Sequence, residues 1–96
     1  MVKPVANTTF LVECFWPDVD PERVQHAAEH LAECAAQSSR NGAHVAYVGS
    51  ILVTGDDVVF FLFDAGSSEE VRSVCEQTQL QFERVVASVV SATGGH

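Results

Sequence analysis

Val58-Val59-Phe60-Phe61-Leu62-Phe63 is an unbroken apolar run held between Asp57 and Asp64. Successive side chains of a strand point to opposite faces, so as a strand this run is apolar on both. Val58, Phe60 and Leu62 share one face; Val59, Phe61 and Phe63 share the other. Such a strand belongs in the middle of a sheet whose two faces are both covered. A chain of 96 residues with two helical segments can cover only one of them. The second face requires another occupant, most simply a further copy of the chain or a bound small molecule.

Upstream, residues 8–16 (TTFLVECFW) alternate Phe10, Val12 and Cys14 with Leu11, Glu13 and Phe15, a strand that Pro17 stops. Asp20-Pro21-Glu22 is a helix start, with Asp20 as N-cap and Pro21 at the first helical position. The helix is expected to run to about Ser39, closed by Asn41-Gly42. Its apolar stripe is Val24, Ala28, Leu31 and Ala35, flanked by Ala27 and Cys34; Glu22, His26, Glu29, His30, Glu33 and Gln37 form the opposite face. A strand over about 44–53 leads into the turn Thr54-Gly55-Asp56-Asp57. Gly55-Asp56 suits a hairpin, which makes this strand and the apolar run antiparallel neighbours.

Residues 64–70 (DAGSSEE) break the sheet and start a second helix capped by Ser67 or Ser68, with Val71, Val74, Cys75 and Thr78 on its inner side. A last strand is expected over about 82–90, and 91–96 is a polar tail. The order βαββαβ, with right-handed crossovers, gives an α+β fold of ferredoxin-like type. It has a four-stranded antiparallel sheet with two helices on one face, in a single domain with its core over 8–90. That topology places the first and third strands centrally, and these are the two most apolar strands of the chain.

Thirteen acidic residues against five basic ones give a net charge of −8, a surface that repels phosphate backbones and anionic lipid. Nucleic acid and membrane are therefore not expected as partners, and no segment has the ~18 uninterrupted apolar residues of a membrane span. The first nine residues carry one Lys and no long apolar run, so no secretory signal is read there and a cytoplasmic location is expected. Cys14, Cys34 and Cys75 are far apart in sequence, the pattern of reduced, buried thiols rather than a disulfide framework.

Glu13 is the polar residue that stands out. A carboxylate on a central strand is costly to bury unpaired, so it is expected on the face away from the helices. There it could accept a hydrogen bond, bind a cation or act as acid or base; a purely structural role would pair it with Arg84, Tyr47 or a hydroxyl. The expected ligand-binding set is Glu13, Phe15, Tyr47 and Phe61. On the first helix, His26-Ala27-Ala28-Glu29-His30 fits H-x-x-E-H, in which imidazoles four residues apart can share a metal ion, and Cys34 extends the ridge by a turn. The chain is too short for a peptidase cleft, and a solvated helix face accounts for the same residues. Glu13, His26 and His30 are the candidate metal ligands. His44 and His96 are isolated and found no site.

Leu11-Val12-Glu13, Phe15, Asp64-Ala65, Glu69, Glu70 and Phe82-Glu83-Arg84-Val85-Val86 together resemble a family of small bacterial nickel-binding-protein-like domains, over about 80 residues in order. The resemblance implies a ferredoxin-like dimer whose sheets close into an α/β barrel, with nickel bound through His and acidic side chains in some members. Those domains commonly carry His-Ser-Tyr on the second strand. Here Gly49-Ser50-Ile51 stands at that position, which removes an imidazole that first-row metals favour.

The expectation is a small homodimer, or higher even-numbered oligomer, that holds a small ligand or a divalent metal such as nickel between two sheets. The alternatives are a cofactor-free oxygenase, isomerase or cyclase using Glu13 as acid/base, an analogy at the level of fold, and a purely structural assembly.

Overall fold

A computed structural model of the chain describes residues 8–88. Its elements are β1 (Thr8–Phe15), α1 (Pro21–Arg40), β2 (Val45–Val53), β3 (Val58–Ala65), α2 (Ser68–Gln77) and β4 (Arg84–Ala87). The four strands form one sheet in the order β2-β3-β1-β4 with every neighbouring pair antiparallel. β1 and β3 are central, as their apolar content demands. The α+β architecture, four antiparallel strands and two helices, is consistent with a ferredoxin-like fold.

One face of the sheet is buried under the helices. Val12, Cys14, Val59, Phe61 and Phe63 are each 0% exposed and pack in one cluster with Val24, Leu31 and Ala35 of α1 and Val71, Val74 and Cys75 of α2. Burying each of the two phenylalanines stabilises the fold by about 1.5–3 kcal/mol. Burial also pushes the thiols of Cys14 and Cys75 up to about 12.

Helix ends are set by local chemistry. The Asp20 carboxylate accepts the Arg23 backbone N–H at 2.8 Å, which starts α1. At the other end Asn41 donates its N–H to the carbonyls of Gln37 and Ser38, and Gly42 takes a φ of 101° that favours glycine. The Ser39 hydroxyl donates to the Val45 carbonyl and fastens this end to β2. Ser67 caps α2 by accepting the Glu70 N–H at 3.3 Å, and its hydroxyl donates back to a Glu70 carboxylate oxygen at 3.4 Å. The second Glu70 oxygen accepts the His44 backbone N–H at 2.9 Å. That hydrogen bond leads the causes that hold the Glu70 carboxyl below the usual range.

α2 ends in a Schellman turn, with Leu80 N–H donating to Cys75 at 2.9 Å and Gln79 N–H to Glu76 at 3.1 Å. Gln79 fills the left-handed position of this turn with φ 61°, where glycine is usual.

Three details depart from the sequence reading. The hairpin joins β2 and β3 as expected, and the turn carries a left-handed residue at Asp57 (φ 55°), one position past the expected Gly55-Asp56 pair. β2 carries a bulge at Val48: Tyr47 faces Phe63, yet Gly49 already faces Leu62. The last strand begins at Arg84 and not at Phe82, because Phe82 is drawn half-buried against the core beneath Arg72. The expected strand end at 89–90 and the tail 91–96 lie outside the described residues.

Candidate functional site

The face of the sheet opposite the helices is ordered into cross-strand rows. Ile51, Phe60, Glu13 and Arg84 form one row across all four strands, and Gly49, Leu62, Leu11 and Val86 form the next. Val53, Val58 and Phe15 flank them on one side, and Ala46, Asp64 and Thr9 on the other. Phe15, Ile51 and Val86 stand exposed, Phe15 by 54%. The face is thus apolar around a single charged pair, with one further carboxylate, Asp64, satisfied by the Thr9 hydroxyl at 2.6 Å.

The pair is Glu13 with Arg84. Nε–H of Arg84 donates to Oε1 of Glu13 at 2.6 Å. Directly opposed register on neighbouring strands brings them together, and the two side chains are 24% and 68% exposed. Glu13 does lie away from the helices, and of the partners weighed for it Arg84 is the one it meets.

The remaining expected ligand-binding residues separate. Phe15 shares the open face with Glu13. Phe61 is on the other side of the sheet, 0% exposed, with its ring edge-on to Trp16 at 5.7 Å. Tyr47 also points to the helix side, edge-on to Phe63 at 5.4 Å. The period-two alternation of β2 and β3 puts both rings there. The Tyr47 hydroxyl is buried without a hydrogen-bond partner among the described residues. Burial raises the pKa of this phenol, opposed in part by the nearby Ser50 hydroxyl. A polar tip on an otherwise apolar buried wall is a feature the sequence did not signal.

The proposed metal ligands separate as well. His26 and His30 lie exposed on α1 beside Glu29 and Glu33, around a shallow depression of about 340 Å³. α1 packs on the helix side of the sheet, while Glu13 alternates with the buried Val12 and Cys14 and points to the other. Among the described residues no group of three or more His, Cys, Asp or Glu side chains is arranged to hold a metal ion. Physically, one layer of sheet divides the carboxylate from the imidazoles.

No family model matches the chain, and no curated protein matches it. Among solved structures the chain is similar to a structural-genomics protein, YJCS, at 10% identity with a TM-score of 0.52, over 88% of this chain and 98% of that one. That likeness is one of fold. It agrees with an α+β protein of four antiparallel strands and two helices. No described helix is long and apolar enough to cross a membrane.

Proposed function

We propose that the chain acts as a homodimeric small-ligand-binding protein, two copies meeting across their open sheet faces around a chamber that contains Glu13 and Arg84. The observation that carries this reading is the composition of that face. In a chain of net charge −8, it holds the one ion pair among the described residues, one further carboxylate (Asp64, held by Thr9) and mostly apolar side chains. Two copies approaching through it meet less like-charge repulsion than the overall net charge of the chain implies. The face carries a net charge of only −1 from Glu13, Arg84 and Asp64, with both signs present for pairing across a two-fold contact.

The occupant favoured is a neutral or zwitterionic small molecule rather than a metal ion, since a cation at Glu13 would have to displace Arg84 at 2.6 Å. The nickel expectation rests on the family resemblance, and Gly49 supplies no imidazole to that face. Binding is favoured over proton-transfer catalysis because the other described neighbours of Glu13 across the row and along β1, such as Phe60, Leu11 and Phe15, are apolar.

Sedimentation velocity at micromolar concentration tests the reading, with twice the 10.4 kDa chain mass expected. Ile51→Lys places a charge on the exposed part of the face and is expected to yield a folded monomer. A wild-type protein that sediments at 10.4 kDa overturns the proposal. Native mass spectrometry of the dimer then reports any small molecule retained with it.

A further inference from the structure

On the helix side of the molecule, α1 and the connection between α2 and β4 border an open cleft of about 620 Å³ at the end of β1. The volume lies within the range of small-molecule sites, roughly 300–1,000 Å³. Its walls include Trp16, Arg23, His26, His30, Leu80 and Glu83. Trp16 is fixed from two directions. Its ring meets Phe61 edge-on at 5.7 Å, and its backbone N–H donates to Asp57 at 2.8 Å.

The guanidinium of Arg23 lies over the Trp16 ring, 4.5 Å from its centroid. Among the described residues it makes no ion pair, the one present being Arg84 with Glu13. A guanidinium stacked on an aromatic face keeps its N–H fork free at the edge, which is the geometry that receives a carboxylate bidentately. His26 and His30, one turn apart on the same wall, add two further imidazoles. Within the cavity the one guanidinium, Arg23, faces one carboxylate, Glu83, so the lining is locally neutral in a chain of net charge −8.

We propose that this cavity binds a small aromatic carboxylate, its ring against Leu80 beside the Arg23–Trp16 stack and its carboxylate on the Arg23 fork, with His26 and His30 as flanking donors. The site is built within one chain, with Phe15 at its border to the open sheet face.

Trp16 is the sole tryptophan of the chain, so its fluorescence reports on this wall alone. The probes are phenylacetate, its neutral isostere phenylacetamide, and inorganic phosphate. Phenylacetate is expected to change Trp16 emission saturably in the millimolar range or tighter, with a midpoint at least about tenfold below that of phenylacetamide. Phosphate is expected to give no saturable change. Arg23 is exposed, so Arg23→Gln should still fold, with a thermal midpoint lowered by no more than the loss of its stack on Trp16, and bind acid and amide alike. Arg23→Lys, which keeps the charge and loses the fork, should retain only part of the preference. The proposal is overturned by any of four results: no saturable response, equal midpoints for acid and amide in the wild type, phosphate matching phenylacetate, or Arg23→Gln keeping the preference. The two wild-type comparisons decide the matter even if a variant folds poorly.

Discussion

Arg84 and Glu13, 71 positions apart in sequence, oppose each other directly on β4 and β1 and close an ion pair of 2.6 Å on the face the helices leave open. An exposed pair and a pair sealed beneath a partner differ sharply in energetic weight. With Arg84 68% exposed, a double-mutant cycle of Glu13→Gln and Arg84→Gln should give a coupling of about 1 kcal/mol or less by urea unfolding. That outcome fits a solvated chamber. A coupling of about 3 kcal/mol or more would mean a dry interface and would favour the purely structural assembly.

Gln79 occupies a left-handed position at φ 61° in the turn that ends α2. Gln79→Gly is expected to raise stability by about 0.5–1 kcal/mol, because glycine reaches this conformation without a Cβ clash. The shift should appear in the urea midpoint with no change in slope. An unchanged or lowered midpoint would show that the Gln79 side chain makes compensating contacts.

The three cysteines are free, and Cys14 and Cys75 are buried while Cys34 is half-buried with its thiol donating to Gln77 at 3.2 Å. With their pKa values pushed up to about 12, Cys14 and Cys75 carry almost no thiolate near neutrality. A disulfide reagent added to the native protein should therefore titrate Cys34 alone, and all three thiols after denaturation. The sign at high pH also follows. A thiol whose pKa is raised by folding contributes stability that is intact below the ordinary value of 9.0 and is lost as the pH climbs toward about 12. Cys14→Ser should change that alkaline dependence. Two or more fast thiols in the native protein would contradict this burial.

Glu70 joins the start of α2 to the start of β2 through the His44 backbone N–H. Its carboxyl is held below the ordinary value of 4.5, so the ionised form is favoured in the folded chain. The stabilisation is present above that value and is lost as the pH falls below it through the folded-state pKa. Glu70→Gln should flatten this part of the acid-unfolding curve, read by circular dichroism. Ser67→Ala, which removes the hydroxyl that caps α2, should cost about 1 kcal/mol at neutral pH. An acid limb identical in wild type and Glu70→Gln would remove Glu70 from the linkage.

Much of this fold is legible in single segments, because the deciding interactions are local. Asp20 and Pro21 start a helix wherever they precede an apolar stripe, and Ser67 with Glu70 does the same three residues apart. The apolar run of β3 demands a central strand before any partner is known. Alternation along β1 likewise predicts the side on which Glu13 lies. What the sequence did not determine depends on residues distant along the chain. The bulge at Val48 inverts the alternation of β2, so that Tyr47 points to the helices while Gly49 and Ile51 point away. A period of two has no tolerance for one extra residue, and nothing in the composition of β2 announces where that residue falls. Cross-strand register alone selected Arg84, rather than Tyr47 or a hydroxyl, as the partner of Glu13, and it set Phe61 behind the sheet. The cavity of Trp16 and Arg23 exists only because the turn after α2 returns past the first turns of α1. Local propensity determined the elements; the register and the packing of distant segments decided which side chains meet.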